Sequence, residues 1–260
     1  MGRAPRADLG GIGGVGPREQ YESLPSTQDR AVLLARQGAP EGTRVVARRQ
    51  LAGRGRLARS WTSPEGGLYL SMVLARPAEH PGLLPLAVGG HLVEAFRTDY
   101  SLPVSLKWPN DLLVRRADGS MGKLSGILTD EVASPTLGRA AVVGVGVNVR
   151  LDRRALPSEL GDSVAALDEF VRPAPTLDKV EAQVVRAALG AVQDLSRPGG
   201  ADRSRALCRT YLYGVGRPVR VDGVPAGTIE ALGEDGELWL STPNDRVAVW
   251  AGDVRVEGAP

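Results

Sequence analysis

The sequence predicts an α+β fold, a main domain mixing helices with antiparallel-looking strands and followed by a small β domain. Three observations carry this. Apolar stripes of helical period occur in well-separated segments, and short β-favouring runs bounded by Pro-Asn and Asp-Gly turns lie between them. After Gly214 the texture changes to strand-like pieces broken by turn residues every few positions.

Residues 1–20, rich in Gly and Arg and poor in large apolar side chains, read as a flexible tail. Ser26-Thr27 supply a hydroxyl cap for a short helix bearing Ala31, Leu34 and Ala35 and stopping at Gly38. Val45-Val46 begin a strand that runs into Arg48-Arg49-Gln50, and Gly67 to Leu74 forms another. Leu83 to Phe96 reads as a mostly buried helix, with Leu86, Ala87, Leu92, Val93 and Phe96 on its apolar surface. Strands follow around Val104-Leu106, Leu112-Val114, Leu124-Thr129 and Ala140-Val149.

Thr176 caps a longer helix whose stripe is Leu177, Val180, Val184, Val185, Ala188, Leu189, Val192 and Leu195. The main domain is assigned to 21–213. The pieces Pro218-Val221, Gly227-Leu232, Glu237-Ser241, Val247-Trp250 and Val254-Val256 predict a small β-barrel or sandwich over 214–260, marginal in size for independent folding.

Composition narrows the chemistry. Hydrophobic residues make up 42% of the chain, enough for a sizeable core, and no apolar run approaches a membrane span. Met1 to Pro17 lack the apolar stretch of a secretory signal, so a cytoplasmic location is expected. The one cysteine, Cys208, reads as a small buried hydrophobe in a helix, and with only His80 and His91 beside it a Cys/His zinc site is disfavoured. The same scarcity argues against Ser-His-Asp and Cys-His hydrolysis. A net charge of +2, from 32 basic and 30 acidic residues, is too balanced to make nucleic acid the expected partner.

Four segments carry candidate chemistry. Gly53-Arg54-Gly55-Arg56, followed by Arg59 and Trp61, suits neither a helix interior nor a packed strand and is assigned to a loop. Backbone amides beside fixed cationic forks suit a polyphosphate or acyl-phosphate, and Trp61 offers a face for a purine. A solvated Arg-Gly loop is the alternative. Gly66-Gly67 gives a second place for close backbone approach by a ligand.

Lys107-Trp108-Pro109-Asn110-Asp111 is a turn that either projects Asp111 into a site or simply buries a tryptophan. Lys123, opening an apolar strand, is either an edge charge or a cation aimed from a rigid element. Val143-Gly144-Val145-Gly146-Val147-Asn148 lacks both the third glycine of a dinucleotide loop and the lysine of a P-loop.

In this order, Ser26-Thr27, Gln50 with Gly53 to Arg56, Arg59 to Pro64, Gly66 to Ser71, Lys107 to Asp111, Lys123 to Leu128 and Gly144 to Asn148 resemble the biotin protein ligase family. The likeness extends from about residue 21 to the C-terminus. It implies a mixed-sheet catalytic domain flanked by helices, of the class II synthetase-like type shared with lipoate ligases, and an SH3-like β-barrel after it. The implied activity is ATP-dependent formation of biotinyl-5′-AMP, then transfer of biotin to a lysine of a biotin carboxyl carrier domain.

The resemblance further implies that Ser26, Thr27, Gln50, Gly53, Arg54, Arg56, Gly66, Gly67 and Lys123 surround biotin. Arg56, Arg59, Trp61 and Asn148 would address ATP and the adenylate, and Arg54, Arg56, Lys123 and Asp111 would be catalytic. Mg2+ would come with ATP, near Asp111. Gln28 departs from the family's usual Asn after Ser-Thr. Too few residues precede the catalytic segment for a helix-turn-helix, so the monofunctional kind is expected, as monomer or homodimer, without nucleic acid or membrane partners. A lipoate ligase or octanoyl transferase of the same fold, and a nucleic-acid-binding regulator, are the competing readings.

Overall fold

The structure is a computed structural model that describes residues 6–8 and 16–257. Its elements in order are β1 (Arg6–Asp8), β2 (Arg18–Tyr21), α1 (Thr27–Arg36), β3 (Arg44–Ala47), β4 (Leu68–Ala75), α2 (Leu84–Tyr100), β5 (Val104–Lys107), β6 (Asp111–Arg115), β7 (Met121–Ser134), β8 (Gly138–Val147), α3 (Leu177–Leu195) and α4 (Gly200–Tyr211). A second set comprises β9 (Pro218–Val221), β10 (Val224–Leu232), β11 (Leu238–Ser241), β12 (Arg246–Val249) and β13 (Val254–Val256).

The first eight strands form one mixed sheet, ordered β1-β2-β3-β4-β8-β7-β6-β5, in which only β2 and β3 pair in parallel. Helices cover both faces, and successive residues therefore enter opposite cores. Val46, Met72, Leu74, Val143 and Val145 join a large cluster with α2 and α3, while Val45, Ala47, Val73 and Val142 join a smaller one with Ala31 and Ala35 of α1. Hence β4 is apolar and buried along nearly its whole length instead of alternating.

The helix ends follow their caps. Ser26 Oγ accepts from Asp29 N and starts α1; Thr176 Oγ1 accepts from Lys179 N and starts α3. Cys208 lies fully buried in α4 with its Sγ 3.2 Å from Leu86 O, and burial pushes its thiol up to about 12.

One expectation needs correction. Residues 18–20 were placed in a flexible tail, but Arg18–Tyr21 is a strand inside the sheet. Its sequence, Arg-Glu-Gln-Tyr, has no apolar pattern to announce it. Ion pairs hold it instead: Arg18 donates two 2.8 Å bonds to Glu181 of α3, which also accepts from Arg44 Nε at 3.1 Å. Burial pushes the Glu181 carboxyl up, but the hydrogen bonds and charges of Arg18 and Arg44 bring it below its ordinary value. Residues 1–5 and 9–15 of the predicted tail lie outside the described residues.

The second sheet is antiparallel, ordered β12-β11-β10-β9-β13. This agrees with the small C-terminal β domain expected; among the described residues no pairing joins β12 to β13. It does not rely on a core of its own. Val219, Ile229, Leu232, Leu238, Leu240 and Val254 merge with the large cluster of the main sheet, and Trp108 Nε1 donates to Gly236 O at 2.8 Å.

Candidate active site

The cleft lies over the middle of the main sheet, with a floor made by three glycines. Gly126 of β7 faces Gly146 of β8, and Leu128 faces Gly144. A Cβ on Gly126 or Gly146 would come within 2.7 Å of the Trp61 ring, and one on Gly144 would collide with Gln28 Oε1. The alternation Val-Gly-Val-Gly-Val thus has a physical meaning: the valines enter the core and the glycines leave a flat surface for a ring. The Trp61 ring lies on that floor.

The roof is the Gly53–Pro64 segment. It folds back on itself through Gly55 N to Arg59 O at 2.7 Å and Trp61 N to Gly53 O at 2.8 Å. Leu57 and Ala58 have φ of 54° and 57°, the left-handed region that costs side-chain-bearing residues about 1–2 kcal/mol each. Leu57 is also exposed. The loop therefore carries local backbone strain at its exposed tip.

Five cationic side chains line the cleft, and their partners differ. Arg54 Nη1 reaches Asp29 at 2.8 Å and Asp130 at 3.0 Å. Arg59 pairs with Asp253 of the second sheet at 3.3 Å. Lys123 Nζ sits 2.8 Å from Asp111 Oδ1 and 5.0 Å from the centroid of the Trp61 ring. Among the described residues the Arg56 side chain has only a 3.4 Å hydrogen bond to Asn110 Oδ1, and burial pushes its guanidinium below the ordinary value against the pull of Asp111. Lys107 has no hydrogen bond or ion pair among the described residues. Burial pushes its ammonium down, opposed by Asp111 and Asp253.

The inner end is an amide and hydroxyl network. Gln50 Oε1 accepts from Thr27 N at 2.8 Å and from Thr27 Oγ1 at 3.1 Å. Ser71 Oγ lies 2.9 Å from Thr27 Oγ1 and donates to Gln28 Oε1, while Gln28 Nε2 donates to Val142 O and Asp130. Donors and acceptors this close together suit a compact neutral ring carrying both N–H and C=O groups.

The structure brings Thr27, Gln50, Arg54, Arg56, Arg59, Trp61, Asp111 and Lys123 to one cleft that opens to solvent. Other expected site residues stand apart from it. Ser26 caps α1, and Gly53 borders the outer side of the loop. Gly66 and Gly67 admit protein in the place expected for ligand: Gly66, at φ 101°, backs onto Arg150 O, and Gly67 makes room for the Tyr69 hydroxyl. Asn148 is buried, its Nδ2 donating to Lys123 O at 3.1 Å, so it braces the strand that carries Lys123.

Sequence reasoning gave no site role to Lys107, Asn110, Ser71 or Tyr69, although each belongs to a segment it singled out. It had no signal for the Gly252–Val254 turn, which is remote from the other lining segments in the chain and reaches the cleft through packing of the second sheet. Both readings of the Lys107–Asp111 turn hold: Trp108 is buried and Asp111 enters the cleft. Lys123 is no edge charge, because β7 is flanked by β6 and β8.

Among the described residues, no three His, Cys, Asp or Glu side chains are grouped to hold a metal. The Asp111 carboxylate is already engaged by Lys123. This donor set fits a cation that arrives with its own phosphate ligands. No helix of the described residues is long and apolar enough to cross a membrane.

Residues 21–148 match the Biotin/lipoate A/B protein ligase family. The chain is 30% identical over 246 residues to the bifunctional ligase/repressor BirA of Bacillus subtilis, covering 91% of this chain and 73% of that one. It is 31% identical over 243 residues to the biotin–[acetyl-CoA-carboxylase] ligase of Mycobacterium tuberculosis, covering 86% and 84%. Among solved structures, the biotin protein ligase from Aquifex aeolicus in complex with biotin and ATP superposes with a TM-score of 0.77 at 28% identity, over 92% of this chain and 98% of that one.

Proposed function

The chain belongs to the biotin protein ligase family, and we propose that its cleft joins biotin to ATP and then passes the biotinyl group to a lysine of a biotin carboxyl carrier domain. The observation that supports this most is the pairing of two unlike regions in one cleft. An amide and hydroxyl network closes one end, and cations cluster over a glycine floor at the other.

The first half-reaction brings a carboxylate against the α-phosphorus of ATP, and the two anions repel. Lys123, fixed on β7 by its bond to Asp111, is the group assigned to the carboxylate and to the acyl-phosphate oxygen. Arg56, which has no carboxylate partner among the described residues, is assigned to the phosphates. Preorganised charges of this kind act where charge develops and need no reorganisation at the moment of reaction. Magnesium bound to ATP would supply further neutralisation, with Asp111 the carboxylate nearest to hand.

Thr27 and Gln50 take the ureido ring of biotin in this reading, and a planar group entering above the floor either stacks on Trp61 or displaces it. The strained loop then closes over the mixed anhydride and excludes water. In the second half-reaction the acceptor amine attacks the carbonyl, AMP leaves, and Lys123 stabilises the developing charge. Asp111 orients Lys123. Residues 214–260 are taken as a second domain by sheet topology that shares the core of the first, and the cytoplasm as the compartment, consistent with a single buried thiol.

The test is incubation with biotin, Mg-ATP and a biotin carboxyl carrier domain, followed by intact-mass measurement. One biotinyl addition on the carrier is expected; absence of biotinyl-AMP with both substrates present refutes the reading. Lipoate in place of biotin should give no comparable thermal shift in the presence of ATP.

A further inference from the structure

The Trp61 indole lies across the path between the two ends of the cleft. The hydroxyls of Thr27 and Ser71 stand at α1 and β4, Lys123 stands on β7, and β8 lies between these two strands. Across the sheet Tyr69 pairs with Gly146, Gly146 with Gly126, and Gly126 with Asp111, the ion-pair partner of Lys123. Ser71 pairs with Gly144, which the Gln28 amide already covers. A molecule reaching from Ser71 to Lys123 along the floor therefore passes over Gly146 and Gly126. The indole rests on both, so close that a Cβ on either would be 2.7 Å from a ring carbon, and no second ring fits beneath it.

The indole holds this position weakly. Its Nε1 is buried with no hydrogen-bond partner among the described residues, a deficit for a group that usually finds one. It gains a flat surface and the Lys123 ammonium 5.0 Å from its ring centroid. A ring that carries a carboxylate would gain the same surface and a full charge pair with Lys123. Leu57, the other large apolar side chain of the roof, is exposed, so the indole is the roof's one large apolar anchor among the described residues.

We infer that Trp61 is a built-in plug: in the free protein its indole occupies the slot that biotin takes, and biotin binds by displacing it from Gly126 and Gly146. Biotin then meets a site that is competent only in the fraction of molecules whose indole is off the floor, and its apparent affinity is lowered by that fraction. This rests on the reading that the cleft binds biotin, and it means displacement of Trp61 instead of stacking upon it.

Nuclear Overhauser contacts in the wild-type protein read the position of the ring directly. With Trp and Gly selectively protonated, the Trp61 ring should show contacts to the Hα protons of Gly126 and Gly146 in the free protein. Saturation with biotin, verified by calorimetry, should abolish them and replace them with contacts from biotin to the same glycines. Trp61–glycine contacts that persist in the biotin complex, or that are missing from the free protein, overturn the inference. A protein that binds no biotin refutes the parent reading, and this one with it.

Kinetics give a second measurement. For Trp61→Ala the association rate constant of tritiated biotin should rise about tenfold, as when a blocking state held by roughly nine molecules in ten is removed. A ring that only covers bound biotin would leave association unchanged and speed dissociation alone. Unchanged or slower association in the variant overturns the inference. Should the variant not fold, the contacts in the wild-type protein decide.

Discussion

The roof and the floor of the cleft carry similar charges in opposite mechanical settings. On the roof, Arg54 and Arg59 sit on a loop with two left-handed non-glycine residues, and both are substantially exposed, with side-chain exposures of 42% and 59%. Ion pairs in such a setting contribute about 0–1 kcal/mol, so their carboxylates can be exchanged for phosphate at little cost. On the floor, Lys123 projects from a strand paired on both sides, and the glycines beneath Trp61 leave no freedom for a side chain. For the proposed reaction the contrast implies a division of labour: the floor would fix where bonds change, and the roof would adapt and exclude water.

That comparison breaks most sharply at Lys123 and Arg56. Replacing either with Ala should cut initial rates of biotinyl-AMP formation by about 10²-fold or more, measured as pyrophosphate release. Near-wild-type rates in both variants would remove the assigned roles. For Lys123→Ala both half-reactions should suffer, since the proposed role of its amine is at the acyl oxygen in each.

A smaller effect should follow from filling the floor. Gly146→Val would place branched atoms where the Trp61 ring now rests, 2.7 Å from the added Cβ. Adenylation should drop on the order of tenfold through misplacement of the bound groups. Protease cutting within residues 53–64 should rise at the same time, since the loop loses its anchor. Loop protection equal to wild type would show that the floor does not seat the roof.

Ligands should act on the roof in the reverse sense. Saturating biotin and Mg-ATP, each at about a hundred times its dissociation constant, should stabilise the protein by about 2.7 kcal/mol per ligand. The Gly53–Pro64 segment should become resistant to proteolysis. Stabilisation without loop protection would assign the binding energy to the floor alone.

The smallest effect belongs to the outermost pair. Arg59→Ala should shift the melting temperature by no more than roughly 2–4 °C, as expected for a surface ion pair in a chain of this length. A larger shift would mean that Arg59–Asp253 is a structural tie between the two sheets and not an exchangeable contact.

Much of this architecture was legible in advance because the relevant forces are local. Ser26 and Thr176 announce α1 and α3 through capping, and the apolar stripe of α3 announces its buried face. The strand β2 was not legible. Its Arg18 is pinned by Glu181, more than 160 positions away, and no local rule encodes such a pairing. The short strands and turns after Gly214 announced the second sheet, but hairpins by themselves do not specify whether its edges meet.

The same division governs the cleft. The loop glycines and arginines, Lys123 and Asp111 stood out in the sequence because their residue types suit neither helix nor strand interiors, or place charge beside apolar runs. By itself the sequence determined, β2 excepted, which segments form the elements and which side chains have the chemistry to meet a phosphate. Only the tertiary structure decided that Gly66 and Gly67 yield to the protein's own chain, that Asn148 braces Lys123 from below, and that Asp253 arrives from the far sheet. The reason is that residue type reports the energy of a group in water or in a core, whereas its partner is fixed by packing between segments remote in the chain.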